Sequence, residues 1–434
     1  MSLTEQEWSS DVLRREQNER LVRVGPESPA GNLFRRYWQP ALLSSELAGN
    51  DGAPVRVRMF GEDLLAFRDT SGRAALVDAY CPHRRAPLFF GRNEECGIRC
   101  VYHGWKFDAD GNCVDLPSEP ENSPMKATIK LKAYPTFEGG GLVWAYLGPG
   151  AKKPPVPDYE WMRAPPTHRH VTKTFEACNY LQAVEGGLDT AHSSFLHNLK
   201  LGDRALLRNR DGAPRIEVEP TDYGYRYIST RKADERSSYV RIYHYVMPFQ
   251  QMRGNVTARV GGRASFPRLD GHLWVPVDDE TTCVYNWAYS YDQSTPFTAE
   301  FLDFIDADYG RGESDLIPGT FWLKRNLSND YMIDRQVQKT KNFTGIVGVN
   351  TQDFAVQEGM GPIVDRSLEH LGTSDRPIAT MRRMLLEAVD AVERGEDPPA
   401  LQPQSHRGIR AHDGIIAEGN EWRTAFASAL APKW

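Results

Sequence analysis

Residues 81–105 read CPHRRAPLFFGRNEECGIRCVYHGW, and four of their side chains decide what the chain can fold around. Cys81 and His83 stand on one arm, and after sixteen intervening residues Cys100 and His103 stand on the other. Each arm offers one thiolate and one imidazole. A [2Fe–2S] centre with two cysteines on one iron and two histidines on the other needs that inventory, and the neutral imidazoles raise its potential. A Cys2His2 zinc site uses the same four ligands, but usually pairs its cysteines on one arm and its histidines on the other. Mixed arms favour the iron–sulfur cluster. Gly104 would let the backbone approach such a cluster closely, and Trp105 would shield it from water. Cys96 and Cys113 fall outside the pattern and read as packing or surface thiols.

Around this stretch the pattern is one of short alternating strands, VRVRMFGEDLLAFRD, AALVDAY and GLVWAYLG, separated by turn signals such as DTSGR and DADGN. They outline a small antiparallel β domain over 41–150, preceded by a charged helix and connector over 1–40. The Gly- and Pro-rich GPGAKKPPVPDYEWMRAPP reads as a link to a second domain over 151–434. There, 171–200 is expected to be helical and 213–295 to supply several strands. TMRRMLLEAVDAVERGE is expected to form a helix ending near Gly395 and Pro398. The predicted fold class is α+β, an all-β N-terminal domain followed by a domain with an antiparallel sheet and helices.

A second group of ligand-type residues lies in 179–197, where Glu185 and Asp189 precede His192 and His197. Oxygen-activating non-haem iron enzymes hold Fe(II) with two histidines and one carboxylate on one face, leaving the other positions open. On an ideal helix a spacing of five sets two side chains about 140° apart. His192 and His197 therefore meet on one ion only if the helix ends or bulges between them. A third ligand must come from far along the chain, and 351–358 offers Asp353 and Glu358.

CPHR followed by YHGWKFDADGNC resembles the Rieske domain of ring-hydroxylating oxygenases. The wider LFFGRNEECGIRCVYHGWKFDADGNCVDLPSEP is most similar to the phthalate dioxygenase branch. The resemblance covers nearly the whole chain. It implies a catalytic domain of helix-grip type, with Cys81, His83, Cys100 and His103 on the cluster and a mononuclear Fe(II) on His192, His197 and Asp353. Glu358 is then a solvated helix acid. Asp189 matches the acidic residue that couples the two metals by reaching His103 of a neighbouring subunit; read without the resemblance, it is a surface acid pairing with His192. The resemblance also implies an iron–sulfur flavoprotein reductase as partner and a homo-oligomer, a trimer or two stacked trimers.

No G-x-G-x-x-G follows a strand and no plant-type ferredoxin cysteines occur, so electrons are expected from a separate reductase. A net charge of −6 speaks against nucleic acid. The absence of a long apolar run and of a secretory h-region speaks against a membrane and for the cytoplasm. The substrate clue is the stretch 200–270, with twelve arginines against two lysines. Arginine forks recognise carboxylates bidentately. Arg241, between Tyr239 and Tyr243 on one strand face, is the leading anchor for an aromatic acid, with Arg231 and Arg215 as weaker ones; O2 is the expected co-substrate. The face Cys283, Tyr285, Trp287 and Tyr289 suits pocket lining or sheet core equally. The expected reaction is hydroxylation of a phthalate- or benzoate-type acid; the alternatives are monooxygenation or O-demethylation of methoxylated acids, and a pure electron carrier.

Overall fold

The computed structural model describes residues 12–47, 49–203, 205–254 and 266–434; the first eleven residues of the expected N-terminal helix, and Arg204, Arg259 and Arg263 of the arginine-rich stretch, lie outside them. Three small antiparallel sheets build the first part of the chain. Val55–Met59, Glu62–Arg68, Ala74–Asp78 and Ala133–Tyr134 form one, and Arg92–Glu94, Gly97–Arg99, Lys106–Phe107 and Cys113–Asp115 form another. Trp38–Leu43, Leu142–Tyr146 and Thr136–Gly139 form the third. Alternation along the strands turns Leu65, Phe67, Ala75 and Val77 inward, where they meet Ile98, Phe107, Cys81, Cys100 and Trp105 in a core of their own. Cys113 packs there as well, Cys96 is exposed, and all six cysteines are free thiols.

The second part is organised on a large antiparallel sheet. Its order is Arg169–Glu176, Thr282–Ser290, Arg268–Pro276, Gln250–Gly254, Ser237–Val246, Gly224–Asp234, Arg215–Pro220. The strand His412–Ala417 returns from the C-terminal region to pair with residues 237–242, beyond the end of Gln250–Gly254, which pairs with 243–246. Helices Tyr180–Leu188, Val349–Gly359 and Arg376–Glu393 pack on this framework.

Two stretches depart from the sequence expectation. Within 171–200 only Tyr180–Leu188 is α-helix; Arg169–Glu176 is a strand paired along its whole length with Thr282–Ser290. Its β-branched and aromatic residues, Val171, Thr172, Thr174 and Phe175, suit a pleated surface better than a helix. The aromatic face of Thr282–Ser290 belongs to the core: Trp287 stacks on Trp161 at 5.1 Å and Tyr289 donates to Glu160 at 2.8 Å. The Gly/Pro-rich link is thereby packed down.

The N-terminal lead is also more than a connector. Helices Arg15–Val22 and Pro29–Phe34 lie against Arg376–Glu393, and Asn18 accepts from buried Arg366 at 3.0 Å. Arg366 and Arg382 in turn donate to Glu185 at 2.8 and 2.6 Å. Burial alone would raise the Glu185 carboxyl, but the two guanidiniums hold it below the usual carboxylate range. Removing one partner would strand a buried charge, so the network clamps helix Tyr180–Leu188 in place. No helix among the described residues is long and apolar enough to cross a membrane.

Candidate metal centres and substrate cavity

The two arms of 81–105 fold as matched loops. Cys81 N–H donates to Ala86 O at 2.9 Å and its carbonyl accepts from Arg85 N at 2.9 Å; Cys100 N–H donates to Trp105 O at 2.8 Å and its carbonyl accepts from Gly104 N at 2.9 Å. The fourth residue after each cysteine is left-handed, Arg85 at φ 58° and Gly104 at φ 76°. The loops bring His83 and His103 together, ring centroids 4.5 Å apart, and Trp105 stacks on His83 at 4.3 Å. Burial pushes the Cys81 thiol up to about 11, and the neighbouring Cys100 pushes the same way. The buried Nδ1 of His83 has no hydrogen-bond partner among the described residues, the state of a nitrogen kept for a metal. Donor set and geometry therefore fit a [2Fe–2S] cluster.

Gly104 carries that geometry, since a Cβ there would fall 2.6 Å from Pro117 Cγ. With a left-handed cost of about 1–2 kcal/mol as well, Gly104→Ala is expected to lower cluster content and Tm. Visible absorbance and thermal melts would check this; wild-type values for both would contradict it.

Helix Tyr180–Leu188 stops before the two histidines. Asp189 caps it with extended backbone, and His192–Ser194 is a 3-10 turn. The helix thus ends as the convergence of His192 and His197 requires. Their Nε2 atoms lie 3.1 Å apart, and Asp353 Oδ1, from helix Val349–Gly359, lies 3.1 Å from His197 Nε2 and 3.6 Å from His192 Nε2. One ligand atom of each of the three falls within 4.8 Å of the others, the spacing of a candidate metal site. Gly187 permits this placement, because a Cβ there would strike Trp274 at 2.1 Å.

Further hydrogen bonds orient the donors. His197 Nδ1 faces Gln352 Oε1 at 2.9 Å, and Gln352 Nε2 donates to Ile346 O at 2.9 Å, which fixes the amide. His197 then presents Nε2 to a metal. His192 Nδ1 lies 3.4 Å from Asp189 Oδ2, while Asp189 Oδ1 accepts from Ala191 N at 2.7 Å. Burial would raise the Asp189 carboxyl, but His192 and these N–H groups hold it below the ordinary range. Glu358 is elsewhere: it accepts from Ala177 N at 2.8 Å and from the Tyr331 hydroxyl. It is buried rather than solvated.

A cavity of about 420 Å³ opens on the three donors, lined also by Asp189, Arg208, Arg241, Tyr243, Arg253 and Arg268. Arg241 donates to Gly254 O at 2.9 Å and lies over the Tyr243 ring. Arg208 and Arg241 each keep a buried Nε without a hydrogen-bond partner among the described residues.

Residues 37–135 match the Rieske [2Fe-2S] domain, and residues 145–432 match the LigXa C-terminal domain like family. The chain is 39% identical over 95% of its length to the phthalate 4,5-dioxygenase oxygenase subunit of Pseudomonas putida, covering 94% of that protein. It is 36% identical to the 3-chlorobenzoate-3,4-dioxygenase oxygenase subunit of Comamonas testosteroni, over 95% of this chain and 98% of that one. It belongs to the Rieske non-haem iron oxygenases. The 5,5'-dehydrodivanillate O-demethylase oxygenase subunit of Sphingobium sp. is 32% identical over 94% of this oxygenase and 89% of that protein. The crystal structure of dicamba monooxygenase bound to dicamba shares the fold, with TM-score 0.61 and 17% identity over 83% of this chain and 99% of that one.

As a member of that family the oxygenase carries a Rieske [2Fe–2S] cluster and a mononuclear iron. Two of its sequence-selected arginines stand outside the cavity. Arg231 is buried with its donors on Thr190 O at 2.5 Å and Ser229 Oγ at 2.7 Å, so it braces the chain just before His192. Arg215 is exposed and pairs with Glu217 at 2.8 Å. Arg208, Arg253 and Arg268 line the cavity of the oxygenase instead. Register was the missing signal: Arg253 lies directly across from Tyr243, on the strand next to Arg241.

Proposed function

We propose that this oxygenase hydroxylates a carboxylated aromatic ring of the phthalate or benzoate type. Cys81, His83, Cys100 and His103 hold the cluster in a domain spanning about 41–150, and His192, His197 and Asp353 hold the mononuclear iron in 151–434. When bound, the cluster supplies single electrons and the iron activates O2. The observation that carries the reading is one cavity with the three-donor site on its wall and two arginines whose Nε atoms lack hydrogen-bond partners among the described residues. Arg241 and Arg208 bind the substrate carboxylate and so place the ring beside the iron; the apolar Phe354, Val284 and Trp274 on the cavity wall face the ring. The phthalate and chlorobenzoate relatives support this substrate class. A second reading, O-demethylation of a methoxylated acid, has the support of the demethylase relative.

Electrons come from a separate iron–sulfur flavoprotein reductase, and the six free thiols suit a reducing cytoplasm. The working form is a homo-oligomer, three subunits or two stacked rings of three. In it His103 of one subunit meets Asp189 of the next; exposed Val101 and Tyr102 beside His103 support a protein contact at that face.

Replacing Arg241 with Ala is expected to raise KM for the acid about ten- to a hundredfold, matching about 1.5–3 kcal/mol for a hydrogen bond to a charged group. The methyl ester should be far less affected. Equal effects on acid and ester would remove Arg241 from carboxylate binding.

A further inference from the structure

Arg208 touches both halves of the site. From the 3-10 turn Leu207–Asn209 it donates through Nη2 to the main-chain carbonyl of His197 at 3.0 Å, while the residue also lines the cavity and its buried Nε has no hydrogen-bond partner among the described residues. We propose that Arg208 makes the two ligands sense one another: a carboxylate bound on it tightens divalent-metal binding at His192, His197 and Asp353, and the metal tightens carboxylate binding in return. The proposal rests on the aromatic-acid reading above and names the residue that links acid to metal.

The argument is electrostatic. The Arg208 guanidinium is bonded to the His197 main chain, and Arg208 lines the same cavity as His192, His197 and Asp353, so its charge disfavours further positive charge on the histidine nitrogens that open there. A divalent ion on the same nitrogens is opposed by the same field. A carboxylate paired with the guanidinium cancels much of that field in a cavity where water screens poorly. The planar fork can hold a carboxylate while one N–H stays on the His197 carbonyl. Coupling of this sort is reciprocal by thermodynamic necessity. Arg241 provides the contrast. It also lines the cavity, but its hydrogen bond goes to Gly254 O rather than to the main chain of a metal-ligand histidine.

The test is a Co(II) titration of protein stripped of its mononuclear metal but retaining its [2Fe–2S] absorbance, with and without saturating phthalate or 3-chlorobenzoate. In wild type the acid is expected to tighten Co(II) binding about tenfold. Arg208→Gln should bind Co(II) more tightly than wild type without acid, and the acid should then add less than about twofold. Damage to the fold would instead weaken Co(II) binding. Arg208→Lys, which keeps the charge, should retain much of the acid effect, and Arg241→Gln should need more acid yet show the full effect at saturation. An acid effect in Arg208→Gln as large as in wild type, or none in wild type, would overturn the proposal. Failure of both acids to bind wild type by calorimetry would overturn the aromatic-acid reading, and the coupling with it.

Discussion

Asp189→Asn is expected to keep both metals and lose about 100-fold in turnover, the upper end of what removal of a carboxylate behind a ligand histidine costs. Asp189 Oδ2 lies 3.4 Å from His192 Nδ1, and Oδ1 caps the turn through Ala191 N–H at 2.7 Å. The asparagine oxygen can keep the backbone bond, so the turn should survive and His192 should still reach the metal. What is lost is the negative charge: an amide N–H2 can present a donor to an imidazole that itself needs an acceptor. The charge is also what would receive His103 of the partner subunit, so electron delivery should slow more than substrate binding. Iron analysis together with single-turnover reoxidation of the cluster checks this. Full turnover with both metals present would remove Asp189 from the link.

Asp353→Ala is expected to remove the mononuclear iron and leave the cluster intact. Of the three donors it is the sole carboxylate, 3.1 Å from His197 Nε2, and burial would raise its carboxyl were it not for His197 and His192, which hold it below the ordinary range. Two neutral imidazoles alone hold Fe(II) weakly. Metal analysis should fall from about three irons per chain to about two, the cluster inventory alone, with unchanged visible absorbance and no hydroxylation. Glu358→Gln should keep about three, because Glu358 bonds to Ala177 N and the Tyr331 hydroxyl rather than facing the cavity. Loss of iron in Glu358→Gln but not in Asp353→Ala would reverse the assignment of the third ligand.

The cluster loops were legible because their chemistry is local. The four cluster residues, Cys81, His83, Cys100 and His103, sit within 81–105, and the left-handed turn each loop needs falls on Gly104 in one arm. The other arm puts Arg85 in that conformation, which no local signal marks. The meeting of His192 and His197 was legible only as a condition, that the helix end first; the end at Leu188 meets it. The substrate arginines were the least legible. Ser229 and Arg231 lie across from Arg241 and Tyr239, so Arg231 shares a neighbourhood with the cavity, yet the Thr190 carbonyl captures its guanidinium. Arg208 comes from a loop with no periodicity to read, and Arg253 and Arg268 reach the cavity through strand order. Such placements depend on which strands become neighbours, a long-range property that alternation within one strand does not carry. The strand Arg169–Glu176 had a local signal in Val171, Thr172, Thr174 and Phe175, whereas its partner, more than a hundred residues away, did not.

Substrate-dependent O2 consumption with a surrogate reductase, with products identified by mass, tests the central claim most directly. The panel holds the phthalate isomers, chlorobenzoates and methoxybenzoates. A cis-dihydrodiol of one acid, formed with matching O2 uptake, is the result expected, and formaldehyde with a phenol would instead select the demethylase reading. O2 uptake that none of these acids stimulates, from protein loaded with both metals, would contradict the account.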